Sequence, residues 1–300
     1  MSSNATERFT HHVTSAGPAR GMRFTGLRRV GGTPDKDVPL VVAIHGGGYT
    51  SSYFDVPGYS LLDRAAGLDV PIIAVDRPGH GGSSPAAAGE SLYLANAAAL
   101  DHLISELWES TGIGCAGVFL IGHSIGVHVA MGIAARKPQW PLLGLALSGC
   151  LLRHADGFTE VWAAHPETFL DVPVEQKAEL MFGPAWTHRS DMPQTSYFAN
   201  VPVRTAELVE GAKWVEVFGD LAPEISVPVQ LRHGQLDRLW AGGQDQIAEF
   251  AAGLTSSPYV DVEVVPAAGH AIDYHRVGAA FQTQQLAFAL NCSIRGLDDI

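Results

Sequence analysis

A serine set between two glycines, Gly122-His123-Ser124-Ile125-Gly126, is the part of this 300-residue chain best equipped to do chemistry. The pattern G-x-S-x-G makes a sharp turn between a strand and a helix, from which the serine hydroxyl projects at the carboxyl edge of a sheet. Both flanking elements are present. Residues 118–121 form a short apolar run of buried-strand type, and Ile125, Val129 and Ile133 recur at helical spacing until Pro138 stops the helix. A serine at such a turn occupies a strained backbone conformation, and glycines on either side let the helix pass close to the strand. The helix N-terminus then lies beside the reacting atoms, where its free N–H groups favour developing negative charge. A chain with 33 glycines could produce five such residues by chance, but the pattern occurs once here, with strand and helix on the required sides.

A serine hydroxyl needs a base to become a nucleophile, and the base needs an orienting acid. Asp237 ends the loop Gly234-Gln235-Leu236-Asp237, just past a strand candidate at 227–233. His270 ends Pro266-Ala267-Ala268-Gly269-His270, just past another at 262–265. Asp237 would hold the imidazole in one tautomer, and His270 would take the proton of Ser124 and return it to the leaving group. Among the 13 histidines, His123 and His128 lie too near Ser124 in sequence to turn back onto it. His275, one helical turn past His270, is the rival base; Asp220 and Asp273 are rival acids, although neither directly follows a convincing strand. Upstream, the strand candidate 39–44 runs into His45-Gly46-Gly47-Gly48. Three glycines exceed what a turn needs and leave backbone N–H groups bare, while His45 suits a loop-bracing role.

In order along the chain, HGGG at 45–48, DRPGHGGS at 76–83, GHSIG at 122–126, HGQLD at 233–237 and AAGH at 267–270 make this sequence resemble the α/β-hydrolase-fold superfamily. The resemblance implies an α/β fold with a mostly parallel sheet flanked by helices, and a triad in the order serine, acid, histidine. Carried onto this chain, the catalytic residues are Ser124, Asp237 and His270. The oxyanion hole falls to the N–H groups of Gly47 and Ile125, with Gly48 a close alternative to Gly47. The 76–83 stretch resembles the loop that turns the chain back under the sheet, and Asp76 receives no catalytic role. A serine at the nucleophile position separates the chain from epoxide hydrolases and haloalkane dehalogenases, which use an aspartate there.

The positioning elements follow. Residues 9–13 and 22–29 read as leading antiparallel strands, Ile72–Val75 and 142–147 as further strands, and 247–254 and 277–290 as late helices packing on the sheet. A helix is expected over 90–109, with an apolar face at Leu92, Ala95, Ala99, Leu103 and Leu107. Between 152 and 224 the alternation of strand and helix stops and aromatics become frequent. This stretch is expected to be a helical cap, with helical periodicity around 174–181 and 203–218, inserted into a core domain of 1–151 and 225–300. Most of its aromatics should pack within the cap. Trp162 and Trp186, with Gly48, are the candidates for an apolar pocket facing Ser124.

Composition sets the remaining bounds. A hydrophobic content of 46% with 17% charged residues describes a compact folded chain, and a net charge of −12 disfavours nucleic acid and anionic membranes as partners. The start MSSNATERFT lacks the basic and apolar regions of a signal peptide, and no apolar stretch suffices to span a bilayer, so a cytoplasmic location is expected. Cys115, Cys150 and Cys292 are too few and scattered for a disulfide framework. Gly112-Ile113-Gly114-Cys115-Ala116-Gly117 satisfies G-x-G-x-x-G but precedes a strand, the wrong context for a dinucleotide. No phosphate loop or H-E-x-x-H occurs, and His11 and His12 lack a ligand set, so neither metal nor cofactor is expected.

The expected protein is a monomeric or homodimeric serine hydrolase cleaving a small, apolar ester or related acyl compound through an acyl-enzyme. C–C bond hydrolysis, thioester or lactone hydrolysis, or acyl transfer in secondary metabolism would use the same triad. A non-catalytic binding protein on this scaffold is the remaining reading.

Overall fold

The computed structural model describes residues 5–30, 35–87, 89 and 91–294. Eight strands form one sheet: β1 (Glu7–His12), β2 (Arg23–Arg29), β3 (Leu40–Ile44), β4 (Ile72–Val75), β5 (Val118–His123), β6 (Leu142–Ser148), and, after a two-stranded ribbon β7 (Phe169–Leu170) and β8 (Val203–Arg204), β9 (Val229–Gly234) and β10 (Val260–Val265). Their spatial order is β1-β2-β4-β3-β5-β6-β9-β10, antiparallel at β1–β2 and β2–β4 and parallel elsewhere. The central strands LVVAI and VFLIGH are buried at every position. Continuous apolar runs of this kind are what parallel strands covered on both faces require.

Helices α1 (Leu61–Ala66), α2 (Leu92–Leu107), α3 (Ile125–Ala135), α8 (Gly243–Gly253) and α9 (Gly278–Ile294) flank the sheet, while α4 (Phe158–Ala164), α5 (Val174–Phe182), α6 (Thr205–Gly211) and α7 (Trp214–Leu221) belong to the insert between β6 and β9. Helix α3 lies almost in contact with the strands it follows. A Cβ on Gly126 would fall 2.1 Å from the Ile44 carbonyl oxygen, and one on Gly122 would fall 2.7 Å from that of Gly126. Only glycine fits at either position.

Three expectations need correction. The insert is helical but also carries the β7–β8 ribbon, which its short apolar pieces did not announce. The 203–218 stretch is not one helix: Val203 and Arg204 are ribbon residues, and α6 and α7 are separated at Ala212 and Lys213. Helix α2 starts at Leu92, with Ser91 accepting the Leu94 N–H at 3.1 Å as its N-cap; Glu90 lies outside the described residues. Its inward face holds Ala99, Leu103 and Leu107 of the expected stripe but also Tyr93, Asn96, Ala97, Leu100 and Ile104, a wider face than expected because α3 and the insert both pack on it. Among the described residues no helix is long and apolar enough to cross a membrane.

The insert is tied down by charge. Glu210 of α6 accepts the Leu92 N–H at 2.7 Å, the Tyr93 N–H at 3.3 Å and the Ser91 hydroxyl, so an insert carboxylate completes the cap of a core helix. One turn earlier Glu207 meets Arg77, which follows β4 and has no access to solvent. The pair is bidentate, with Nη1–Oε1 at 2.7 Å and Nη2–Oε2 at 3.1 Å. Burial alone would raise the Glu207 carboxyl, but the Arg77 charge and its hydrogen bonds hold it below the ordinary carboxylate range. Glu207→Gln leaves a guanidinium buried without a counter-charge, so unfolding free energy should fall by about 3–5 kcal/mol. Denaturant titration of the variant checks this, and a loss under about 1 kcal/mol would show that the pair does not hold the insert.

Candidate active site

The chain leaves β3 toward one edge of the sheet and leaves β5 toward the other, so a crevice opens beyond their carboxyl ends, where α/β sheets hold ligands. Ser124 sits there, between the end of β5 and the first residue of α3. Its φ of 54° and ψ of −121° are strained for a residue with a Cβ. The turn is pinned from both sides, by Ser124 N–H to the Ser148 carbonyl and Val127 N–H to the Ser124 carbonyl, each at 2.8 Å. Since the Ser124 carbonyl points into the helix, the N–H of Ile125 in the same trans peptide points out of it.

Asp237 and His270 come from the loops after β9 and β10, parallel neighbours whose carboxyl ends lie side by side. His270 Nδ1 is 2.7 Å from Asp237 Oδ2, and both side chains are buried. Because a carboxylate accepts there, Nδ1 carries the proton and Nε2 is left as the basic nitrogen. Asp237 Oδ1 takes the Leu239 N–H at 2.9 Å. Burial alone would push the Asp237 carboxyl up; the neighbouring His270, His233 and that backbone N–H outweigh it and hold it below its usual value. The His270 ring lies 5.0 Å from that of His123, the residue before Ser124, which brings the imidazole to the serine turn.

The rival residues are engaged elsewhere. His275 Nε2 accepts the Gly269 N–H at 2.9 Å and Nδ1 meets the Thr187 hydroxyl at 3.0 Å, so it braces the loop carrying His270. Asp273 accepts from the Tyr53 hydroxyl at 2.9 Å and the Gln282 amide at 2.8 Å. Asp220 is exposed.

The glycine loop after β3 folds over the serine turn. A Cβ on Gly46 would lie 2.9 Å from the Ser124 Cβ, and one on Gly47 would lie 2.8 Å from the Ile125 Cδ1. The loop's orientation is set from behind by Arg77, whose Nε donates to the His45 carbonyl at 3.0 Å and whose Nη2 donates to that of Gly46 at 3.4 Å. In the trans peptide that joins them, the Gly46 carbonyl and the Gly47 N–H point opposite ways, so an oxygen held toward Arg77 turns the N–H away from it. His45 braces the loop as expected: its Nε2 accepts the Arg77 backbone N–H at 3.0 Å.

A cavity of about 140 Å³ opens from Ser124 and Ile125 into the insert. Gly47, Gly48, Trp162, Leu170, Met181 and Val203 line it, and so do six polar residues that sequence reasoning missed, Tyr93, His128, His154, Asp171, Lys177 and Asn200. Trp162 is thus one of the cavity's walls. Trp186 is not: it is 63% exposed and outside the cavity, with its carbonyl accepting from Arg276 Nε at 3.1 Å. The only signal for His128 was its position one turn into α3. Among the described residues no three His, Cys, Asp or Glu side chains group as metal ligands.

The sequence matches the α/β hydrolase family over residues 41–281, most of the chain, and the protein belongs to that family. An esterase from Exiguobacterium antarcticum superposes with a TM-score of 0.65 at 18% identity, covering 90% of this chain and 96% of that one. An N-acyl homoserine lactonase, solved with N-hexanoyl homoserine, superposes at 0.64 with 18% identity, covering 97% and 99%. At these identities the likeness is one of fold. A curated relative from Cupriavidus necator, the dihydrolipoyllysine-residue acetyltransferase component of an acetoin cleaving system, is 28% identical over 202 residues, 66% of this chain. The chain spans about half the length of that relative, 51%.

Burial surrounds the site with histidines held below the ordinary imidazole range. Desolvation is the leading cause for His45, His80, His123, His128, His154, His233 and His275, and it brings His80, His154 and His275 to about 4. These groups are neutral when folded at a pH where the unfolded chain would protonate them, near 6.5. The unfolded state then binds more protons, so stability is complete above about pH 6.5 and falls as pH drops toward 4, each group contributing up to about 1.4 kcal/mol per unit. Thermal melts should show a steep decline of Tm below pH 6.5. A Tm unchanged down to pH 5 would mean these rings are not held neutral.

Proposed function

We propose that this protein is a serine hydrolase of carboxylic esters or closely related acyl compounds, acting through an acyl-enzyme. The observation that carries the reading is the buried Asp237–His270 pair beside a serine held at φ 54° at the mouth of a largely apolar cavity. In this reading His270 Nε2 takes the Ser124 proton as Oγ attacks the acyl carbon, and Asp237 stabilises the imidazolium. The Gly47 and Ile125 N–H groups receive the oxyanion. His270 then returns the proton to the leaving alcohol, and water, deprotonated by the same nitrogen, releases the acid. The insert, 152–224, acts as a cap over this chemistry.

Acyl transfer is a second reading, favoured by the acetyltransferase name of the Cupriavidus necator relative and by a pocket walled mainly with apolar side chains. The first steps are shared, and an alcohol or thiol replaces water as acceptor. Ester cleavage with and without added acceptors separates the two by whether the free acid or the transferred acyl product accumulates.

Ser124→Ala should abolish labelling by a fluorophosphonate probe and lower ester turnover by about 10⁴-fold or more, with the melting temperature little changed. Labelling that survives in the variant would place the nucleophile elsewhere. Trp162→Ala enlarges the pocket and should shift relative kcat/KM toward bulkier acyl chains by about 1–3 kcal/mol. An equal loss on every chain length together with a lowered Tm would make Trp162 a packing residue instead.

A further inference from the structure

Lys177, on α5 of the insert, is 7% exposed and lines the cavity that opens at Ser124. An ammonium has three donors to satisfy. One goes to the Gly48 carbonyl, 2.7 Å from Nζ, and the charge rests 3.9 Å from the centre of the Tyr49 ring. Among the described residues no carboxylate lies within ion-pair distance, 4.0 Å, of Nζ; Asp171, also at the cavity, acts at longer range. Burial draws the amine down to about 7, with Asp171 pulling the other way. The walls around it are apolar, with Val172, Val174, Leu180 and Met181 among them. A cation placed there costs desolvation that packing does not return, unless something else supplies the counter-charge.

A second polar group waits in the same corner. Asn200 lines the cavity and its side-chain oxygen is buried with no hydrogen-bond partner. The next residue, Val201, donates its N–H at 3.0 Å to the same Gly48 carbonyl that holds Lys177. A side-chain amide can turn either its oxygen or its NH₂ to a ligand, so Asn200 can donate beside the ammonium. Gly48 directly follows Gly47 in the loop over Ser124, and Ser124, Lys177 and Asn200 all line the one cavity.

We propose that the substrate carries a carboxylate on its acyl group, a short chain away from the scissile carbonyl, and that Lys177 Nζ and the Asn200 amide receive it. The inference rests on the serine-hydrolase reading of the same site. The chain's net charge of −12 does nothing to attract an anion in general, so the selection is local to this pair. Lys177 is thus a specificity-determining residue, and its contact with Gly48 keeps it in register with the loop.

The test compares monoethyl succinate and monoethyl glutarate with ethyl butyrate and ethyl valerate at pH 6.5, reading the ratio of kcat/KM for charged over neutral acyl chains. The wild type should favour the half-esters by at least about tenfold, the scale of one hydrogen bond to a charged group. Lys177→Met should lower the ratio about tenfold to hundredfold, and Lys177→Arg should recover part of it. A lysine that merely props the Gly48 loop would depress both esters together and leave the ratio unchanged, which would overturn the proposal. Free glutarate should also protect wild-type Ser124 from fluorophosphonate labelling, a readout that needs no variant. If the wild type labels and cleaves neutral esters without preferring half-esters or being protected by glutarate, this inference alone fails. If Ser124 is not labelled and no ester is cleaved, the hydrolase reading fails with it.

Discussion

A guanidinium shut away from water stands between the glycine loop and the inserted helices, and both depend on it. Arg77 donates to the carbonyls of His45 and Gly46 on one side and to both oxygens of Glu207 on the other. The first set of contacts fixes which way the loop's peptides face; the second fixes α6 against the core. Asn96 of α2 adds an acceptor at 3.4 Å, and the Tyr93 hydroxyl donates to the Glu207 carbonyl. One buried charge therefore aligns the Gly47 N–H, one of the two proposed oxyanion donors, and seats the segment that walls the cavity. A well-packed apolar cluster could supply comparable stability at lower desolvation cost. It could not turn the Gly46 carbonyl toward itself, and so would leave the direction of the Gly47 N–H undefined.

The same economy runs through the rings nearby. His123 stacks on Tyr53 at 4.5 Å, His128 on Tyr93 at 4.5 Å and His154 on Trp240 at 4.1 Å. A neutral imidazole is flat enough to pack as an aromatic and polar enough to accept or donate one hydrogen bond. His154 gives its Nδ1 proton to the Leu239 carbonyl at 3.2 Å, while the Leu239 N–H goes to Asp237. The acid is thus steadied by a backbone segment that the pocket wall also holds. Desolvation keeps these rings uncharged at neutral pH, so they add no positive potential to compete with Lys177.

Much of this was legible in the sequence because buried parallel strands write themselves as short apolar runs. Each run here ends in a glycine-rich or catalytic-type loop: 39–44 before Gly46, 118–121 before Ser124, 227–233 before Asp237. The helix–strand approach at Gly122 and Gly126 left a signature because only one residue type fits there. What the sequence withheld depends on pairing across long separations. Arg77 and Glu207 are 130 positions apart, and neither is unusual in its own neighbourhood. Lys177 lies in VEQKAELMF, which reads as a solvated helical face until the Gly48 loop covers it. Trp186 misled for the opposite reason: its size suggested burial, but a 3₁₀ turn over 185–187 places it outward. The break between α6 and α7 follows Gly211, but a single glycine is tolerated inside a helix, and both pieces show helical periodicity.

The structure separates the groups suited to chemistry from those that shape the cavity. Ser124, Asp237 and His270 stand on loops at the ends of β5, β9 and β10, so sheet register alone fixes their relative placement. Trp162, Lys177, Asn200 and Val203 all come from the insert, and none of them bonds to those three side chains. The insert touches the loop over Ser124 through Gly48, whose carbonyl takes both Lys177 and Val201, and through Arg77 behind it. A change in the insert's lining can therefore alter the shape of the cavity while leaving the Asp237–His270 pair in place. Displacing Gly48 has a different consequence. Its peptide adjoins that of Gly47, so a shift there moves an N–H proposed to receive the oxyanion. Lys177 occupies the point where the two units meet, so one side chain joins the cavity wall to the geometry of the loop above Ser124.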